Sequence, residues 1–173
     1  MAHSPLGVAV IGAGMVGRAH ANAYRNAATV FDASPAPRLV AIADLHEPFA
    51  ADAARRYGYS RAETDWRAVI DAPDIDAVSV AVANDLHREI VEAALAAGKH
   101  VLCEKPLAPS VGDAQAMVDA AAATDRIAAV GFTFRRSPPS TPCASRCSAA
   151  GSAGCGTSSA TTGPTTDSIR GAR

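Results

Sequence analysis

The stretch Val8-Ala-Val-Ile-Gly-Ala-Gly-Met-Val-Gly17 decides the fold of this chain. An apolar run leads straight into G-x-G-x-x-G, and a helix-like segment follows. Gly12 can make a tight turn out of a strand, Gly14 lets a pyrophosphate approach the backbone, and Gly17 lets a helix pack closely on the strand. A position between a strand and a helix is the context that a dinucleotide-binding turn requires.

The helix after the glycines, predicted over Met15–Ala27, supplies the other half of this anion site. Its first N–H groups have no acceptor within the helix, and the positive end of the helix dipole adds to their attraction for phosphate. We therefore count Met15 and Val16 with the three glycines as cofactor-binding residues. S-adenosylmethionine and flavin nucleotides remain alternatives to NAD on this evidence.

An acidic residue at the end of the next strand is the second part of a dinucleotide fingerprint. Leu39-Val-Ala-Ile-Ala-Asp44 supplies it, farther from the last glycine than the usual ~20 residues. We interpret Ala28–Arg38, which contains two prolines, as a loop insertion that explains the excess. Asp44 would accept hydrogen bonds from the ribose hydroxyls and repel a 2′-phosphate, which favours NAD over NADP. The alternative role of Asp44 is a helix cap at a strand end.

Outward from this unit, apolar strand-like runs alternate with helix-like runs as far as about residue 136. The predicted strands are Val8–Gly12, Leu39–Asp44, a weak one near Tyr59, Ala77–Ala83, His100–Glu104 and Ile127–Phe134. The predicted helices are Met15–Ala27, Pro48–Tyr57, Asp65–Asp71 capped by Thr64, Asp85–Ala97 ending at Gly98, and Val111–Ala123 capped by Ser110. Such alternation indicates βαβ units, so the predicted fold class is α/β, a Rossmann-type doubly wound parallel sheet.

Polar residues follow two of the later strands. Asn84 and His87 come just after one strand, and Glu104, Lys105 and Pro106 come just after the next. Because ligands of open α/β sheets bind outside the carboxyl ends of the strands, these groups should converge near the glycine turn. Taken alone, the Glu-Lys pair would be an exposed ion pair, and the histidine would be a residue at a helix start.

Two segments make the interpretation more specific: Asn84-Asp-Leu-His87 and Ala97-Gly-Lys-His-Val-Leu-Cys-Glu-Lys-Pro106. With the glycine turn, they resemble the Gfo/Idh/MocA oxidoreductase family over about residues 6 to 138. The resemblance implies NAD(P)-dependent hydride transfer to or from a sugar, inositol or polyol. It also implies that the glycines bind the pyrophosphate and that Asp44 binds the adenosine ribose.

The resemblance assigns the remaining polar residues to the nicotinamide side. Asn84, His87 and Glu104 would line the ring, and Lys105 would be the active-site lysine, in a peptide bond to Pro106 that is expected to be cis. Two departures stand out. Val82-Ala-Asn84 replaces the family's usual Thr-Pro-Asn, which removes a hydroxyl and a proline near the cofactor, and Thr133 stands where the family often has Asn.

The chain changes character after Arg136. Residues 137–173 consist of Ser, Thr, Gly, Pro, Ala, Cys and a few charged residues, with one large aliphatic, so they cannot bury enough apolar surface to offset ordering entropy. We predict a dinucleotide-binding domain over 1–136 and a disordered tail over 137–173. The family's second domain, which carries the substrate pocket, is expected to be missing. Oligomerisation through that domain stays open.

A reading-frame shift near residue 137 is our hypothesis for this tail. One-base-shifted codons at Ser140, Cys143 and Cys147 would encode aliphatic residues at helical spacing. The rival interpretations are a natural Ser/Thr-rich linker and a metal site at Cys143, Cys147 and Cys155. No fourth cysteine or histidine follows Cys155, which argues against structural zinc.

The composition narrows the function classes. The chain has 173 residues, 49% of them hydrophobic, and a formal net charge of −1, which indicates neither a nucleic-acid partner nor a membrane-surface partner. We find no secretory signal and no long apolar segment, and we therefore predict a cytoplasmic protein. The predicted partner is a small sugar or polyol. A non-catalytic dinucleotide-binding module and a methyltransferase are the alternative functions.

Overall fold

A computed structural model describes residues 4–31 and 35–136 of the chain. Six parallel strands form one sheet in the order β3-β2-β1-β4-β5-β6. The strands are β1 (Gly7–Ile11), β2 (Arg38–Ala43), β3 (Arg61–Glu63), β4 (Ala77–Val80), β5 (His100–Cys103) and β6 (Ala128–Val130). The helices are α1 (Met15–Phe31), α2 (Glu47–Tyr57), α3 (Trp66–Asp71), α4 (His87–Ala96) and α5 (Val111–Ala122). The predicted fold class is confirmed.

The two faces of the sheet are covered by different helices. Alternate residues of β1 point to opposite faces, so Val10 packs with Ala21 of α1 and Ala53 of α2, while Ile11 packs in the cluster that holds Ile90 of α4. Burial on both faces explains why β1 is apolar throughout. This arrangement is the doubly wound architecture that the alternation of strands and helices predicted.

Several element boundaries differ from the predictions. Helix α1 continues to Phe31, so part of the expected loop insertion after Ala27 is helical. The N-cap of α3 is Asp65 and not Thr64, because the Asp65 carboxylate accepts the Arg67 N–H at 2.9 Å. The third strand begins at Arg61, two residues beyond Tyr59.

Three predicted elements are clearly shorter than expected, among them the strand predicted over Ala77–Ala83, which ends at Val80. The helix predicted from Asp85 begins with a 3-10 turn at Asn84–Leu86 and becomes α-helical at His87. The predicted strand Ile127–Phe134 ends at Val130, and Thr133–Arg136 is a 3-10 helix. The Ser110 cap is confirmed, since its Oγ accepts the Asp113 N–H at 3.0 Å.

The chain divides into two compact units, one ending at Gly131 and the other beginning at Phe132. The sheet and the five α-helices of residues 4–31 and 35–136 belong to the first unit. The predicted disordered tail, its frame-shift hypothesis and Cys143, Cys147 and Cys155 lie outside the described residues.

Candidate functional site

The glycine turn has the geometry that its sequence predicts. Gly12 has a φ of +102°, which L side chains rarely adopt, and its N–H donates to the Ala43 carbonyl at 2.7 Å. A Cβ at Gly12 would overlap the Ala81 carbonyl, and a Cβ at Gly17 would overlap the Gly12 carbonyl. The first and third glycines are therefore required by packing.

The middle glycine faces open space. A Cβ built at Gly14 meets no atom within 4 Å, so its backbone is accessible from the cleft. The Arg18 N–H donates to Gly14 O, which is the first hydrogen bond of α1. The amides of Met15 and Val16, at the open start of α1, therefore have no acceptor within the helix. The residues present fit a pyrophosphate that approaches the bare backbone of Gly14.

Asp44 is tied to the glycine turn by two hydrogen bonds. Its Oδ2 accepts the Ala13 N–H at 2.7 Å, and its Oδ1 accepts the His46 N–H at 2.9 Å. A carboxylate has about four acceptor positions, so Asp44 can still accept from ribose hydroxyls. It thus orients the turn and presents a negative charge beside it.

A cleft of about 520 Å³ opens along the carboxyl ends of the strands. Both Gly14 and Asp44 line it, and this volume lies within the usual range of about 300–1,000 Å³ for ligand sites. The other lining residues are Ile11, Gly12, Ala43, Leu45, Thr64, Trp66, Arg67, Ala81, Val82, Ala83, Leu86, Glu89 and Ile90.

Glu104 is buried at the other end of this edge, where it joins three elements. Its Oε1 lies 3.0 Å from His20 Nε2 of α1, and its Oε2 accepts the Lys105 N–H at 3.0 Å. A Cβ at Gly131, just after β6, would overlap the Glu104 carboxylate in its present position, so the glycine lets that carboxylate lie against the chain after β6. The carboxylate holds the start of the Lys105 turn against α1.

Lys105 is exposed, and its ammonium group has no hydrogen-bonding or charged partner among residues 4–31 and 35–136. The expected cis peptide bond between Lys105 and Pro106 is present. Asn84 lies at the start of the 3-10 turn after β4, partly exposed, at the same edge of the sheet. The side chains of Lys105 and Asn84 are therefore accessible to a ligand.

His87 is buried, at 1% exposure, and is not among the residues that line the cleft. Its Nδ1 is 3.1 Å from Pro106 O and 3.2 Å from Leu107 O, and its Nε2 is 3.2 Å from Val82 O. Carbonyl oxygens only accept hydrogen bonds, so the ring donates wherever it bonds. His87 joins the loop after β4 to the Pro106 turn, and its contact with a nicotinamide stays a prediction.

Sequence reasoning missed three residues of this edge. His20 pairs with Glu104 and stands three positions after Gly17, a spacing that could have placed it on the inner face of α1. Trp66 and Arg67 line the cleft. No local sequence pattern distinguishes Trp66 from a core residue, although it is the only tryptophan in the chain.

Metal sites and membrane spans are both absent from the described ranges, 4–31 and 35–136. These ranges contain no group of three or more His, Cys, Asp or Glu side chains placed to hold a metal ion. None of their helices is both long enough and apolar enough to cross a bilayer.

A family model and several known proteins match the part of the chain that forms the sheet and its helices. Residues 6–132 match the family model GFO_IDH_MocA, described as an oxidoreductase family with an NAD-binding Rossmann fold. Levoglucosan dehydrogenase of Pseudarthrobacter phenanthrenivorans is 44% identical over 134 residues, which are 77% of this chain and 34% of that protein. Myo-inositol 2-dehydrogenase of Thermotoga maritima is 34% identical over 128 residues, 74% of this chain and 36% of that protein.

Solved structures agree with the sequence matches. Levoglucosan dehydrogenase in complex with NADH and L-sorbose has a TM-score of 0.76 at 41% identity, covering 80% of this chain and 37% of that one. The chain thus spans about a third of the length of the relatives it matches. The NAD expected from the glycine turn agrees with the family's description. The chain therefore belongs to the Gfo/Idh/MocA oxidoreductase family, of which it carries the NAD-binding Rossmann domain.

Proposed function

We propose that this chain is the cofactor-binding part of an NAD-dependent dehydrogenase acting on a sugar, inositol or related polyol. The open backbone of Gly14, set beside the carboxylate of Asp44, is the observation that carries the proposal. The relatives support the substrate class, because they are dehydrogenases of levoglucosan and of myo-inositol. We propose a cytoplasmic location for this activity.

The glycine turn would hold the pyrophosphate through the amides of Gly14, Met15 and Val16. Asp44 would accept hydrogen bonds from the adenosine ribose and oppose a 2′-phosphate by charge repulsion, which selects NAD over NADP. Asn84, His87, Glu104, Lys105 and Pro106 would form the nicotinamide side.

When bound, the nicotinamide would accept or donate the hydride, and Lys105 would accept the proton of the substrate hydroxyl or return it. A neutral amine can take that proton, and an ammonium can return it in the reverse direction. The exposed position of Lys105, without a protein partner in the described ranges, leaves its Nζ available for this contact. Glu104 would fix the turn from which Lys105 extends, through its bond to the Lys105 N–H.

We propose that the NAD-binding domain binds NAD and, by itself, turns over little substrate. The support is its coverage, since it spans about a third of the length of relatives that perform whole reactions. A substrate pocket formed by the remaining two thirds of such a protein would not be supplied by these residues.

Calorimetry with NADH tests the binding part. Wild-type chain should bind NADH, and Gly14→Ala should weaken the affinity at least about tenfold because a methyl group fills the space for the pyrophosphate. Gly112→Ala is the matched control: Gly112 is a helical glycine of α5 whose Cβ would also stand in open space, with its nearest neighbour 3.8 Å away. Equal affinity for NADH in all three proteins would contradict the proposal.

Spectrophotometry tests the catalytic part. NAD reduction with myo-inositol, levoglucosan and other polyols should be negligible for this chain at enzyme concentrations that give clear rates with a full-length relative. Rates equal to those of the relative would refute the proposed loss of turnover, and Lys105→Ala would then show whether the lysine is needed.

A further inference from the structure

Glu104 connects helix α1 to the turn that carries Lys105. Its Oε1 lies 3.0 Å from Nε2 of His20, and its Oε2 accepts the Lys105 N–H at 3.0 Å. The side chains of His20 and Glu104 are 14% and 11% exposed, so water has little access to either of them. A carboxylate only accepts hydrogen bonds, so Nε2 of His20 is the donor. One carboxylate thus links the His20 ring to the backbone of Lys105.

The part of α1 that carries His20 is fixed on the sheet. Tyr24 lies four residues later, on the same face of the helix, and its OH is 2.8 Å from Oγ of Ser79, a fully buried residue of β4. Near its start, α1 packs so closely on the glycine turn that a Cβ at Gly17 would overlap the Gly12 carbonyl. His20 lies between these two contacts, so its ring extends from a well-anchored part of the helix.

The turn after β5 is held from its other side by a second histidine. Nδ1 of His87, at the start of α4, is 3.1 Å from Pro106 O and 3.2 Å from Leu107 O. The backbone of the turn is therefore bonded toward α1 through Glu104 and toward α4 through His87. The side chain of Lys105, between these bonds, is exposed.

We propose that His20 is a positioning residue of the dehydrogenase site: by donating to Glu104, it fixes the carboxylate that holds the Lys105 N–H. Without this donor, one buried carboxylate oxygen loses its partner, and the Glu104 side chain is free to turn away from Lys105. The amides of Met15 and Val16 at the start of the same helix would hold the pyrophosphate, so α1 would set the position of the lysine relative to the cofactor. The inference rests on the proposed function, which gives Lys105 its role in proton transfer.

Hydrogen exchange of the Lys105 backbone amide, followed by NMR, measures this positioning without any nucleotide. His20→Phe should speed exchange of the Lys105 N–H about tenfold, because the carboxylate that accepts it is no longer fixed. The neighbouring Glu104 N–H donates to Val80 O at 3.0 Å and should keep its wild-type rate. Equal acceleration of both amides would show a general loss of stability and overturn the proposal, as would an unchanged rate at Lys105.

Two further variants separate the hydrogen bond from the space that the ring fills. His20→Gln keeps an N–H donor and should return Lys105 exchange to within about threefold of the wild-type rate. His100→Phe is the matched control: His100 is also partly buried, and its Nδ1 accepts the Ile127 N–H at 2.9 Å, but at the opposite end of β5. This control should leave Lys105 exchange unchanged. Equal rates in His20→Gln and His20→Phe would overturn a role that depends on the donor.

The wild-type protein supplies a test that needs no variant to fold. The imidazole ¹⁵N spectrum of His20 should show a proton on Nε2, since that nitrogen donates to Glu104. An Nε2 without a proton would overturn the proposal.

Calorimetry with two nucleotides tests the link to the dehydrogenase site. His20→Phe should weaken NADH binding about three- to tenfold and ADP-ribose binding less than about twofold, because ADP-ribose lacks the nicotinamide that would lie beside the Lys105 turn. Equal losses for both nucleotides, or an unchanged affinity for NADH, would overturn the positioning role. Wild-type protein that binds neither nucleotide would refute the proposed function, whereas the exchange rates would still report whether His20 fixes the turn.

Discussion

The amino and carboxyl edges of the sheet differ in how completely their polar groups are hydrogen-bonded within the protein. At the amino edge, charged side chains are bonded within the protein. Lys99 is 8% exposed, and its Nζ donates to the Ala72 and Ile75 carbonyls, both at 2.7 Å. Asp76 accepts the Gly7 N–H at 2.7 Å. This edge stabilises the fold.

At the carboxyl edge, the same kinds of group leave part of their bonding capacity unused. Asp44 accepts two backbone N–H groups and keeps free acceptor positions, Gly14 exposes bare backbone, and Lys105 extends into solvent. The difference teaches that residue type does not separate a structural charge from a functional one. What separates them is the edge of the sheet on which they lie and whether their partners exhaust them.

The largest expected effect comes from two glycines of the same turn, one enclosed by packing and one open to the cleft. Gly17→Ala places a methyl group on the Gly12 carbonyl oxygen, which is backbone and cannot move aside, so we expect a loss of more than about 3 kcal/mol in the free energy of unfolding. Gly14→Ala should change that free energy by less than about 0.5 kcal/mol. Urea denaturation measures both, and equal stability of the two variants would refute the assignment of separate packing and binding roles.

Lys99→Met should have the next largest effect. Methionine preserves the apolar stem but leaves two carbonyl oxygens without their donor, which costs about 2–3 kcal/mol. NADH affinity should not change. Lys105→Met is the matched control at the other edge, and its free energy of unfolding should equal that of the wild type. Equal destabilisation by both substitutions would show that the hydrogen bonds of Lys99 do not stabilise the fold more than the exposed Lys105 does.

The sequence was sufficient to predict which residues lie at the carboxyl edge, but not their partners and not the bonded charges of the amino edge. The glycine turn, Asp44 and the alternation of strands with helices followed from local motifs, because a buried parallel strand and its turn are encoded by adjacent residues. The pairing of His20 with Glu104 joins residues far apart in the chain, and no local pattern reveals such a contact. The early end of β6 at Val130 likewise depends on tertiary context, since Gly-Phe-Thr-Phe reads as extended from local propensity.

His87 shows the limit of motif reasoning most clearly. Its position after β4 predicted a group that faces the nicotinamide, and that contact stays a prediction. The motif gave no sign that the buried ring lies within hydrogen-bond distance of the carbonyl oxygens of Pro106, Leu107 and Val82. Trp66 was not predicted as a cleft residue for a different reason. An aromatic residue at a helix start is usually part of a core, and only the cleft shows that its ring also supports an exposed arginine.

Asp44→Asn should have an intermediate effect that involves both structure and binding. An amide can accept only one of the two N–H groups now bonded to the carboxylate, so we expect a loss of about 1–2 kcal/mol in stability. Removing the negative charge should also narrow the preference for NADH over NADPH about tenfold, by roughly 1.4 kcal/mol. Urea denaturation and calorimetry with both nucleotides measure the two effects. An unchanged preference would mean that the charge of Asp44 does not select the cofactor.

Cys103 has the smallest expected effect on stability near neutral pH and shows that the carboxyl edge also contains an inert group. The residue is 2% exposed, and burial, with a smaller contribution from the Glu104 charge, raises the pKa of its thiol from 9.0 to about 12. The thiolate is the reactive form, so alkylation of folded protein at pH 8 should be about two to three orders of magnitude slower than in urea. Replacing the other three cysteines by serine lets mass spectrometry follow Cys103 alone.

The same shift in the pKa of the Cys103 thiol makes the free energy of unfolding depend on pH above pH 9. Below pH 9 the thiol is protonated in both states and does not make stability depend on pH. Between pH 9 and about 12 the unfolded chain ionises first, so the free energy of unfolding should fall as pH rises. Cys103→Ala should remove that part of the alkaline loss, and equally fast alkylation with and without urea would show that the carboxyl edge opens to solvent at this position.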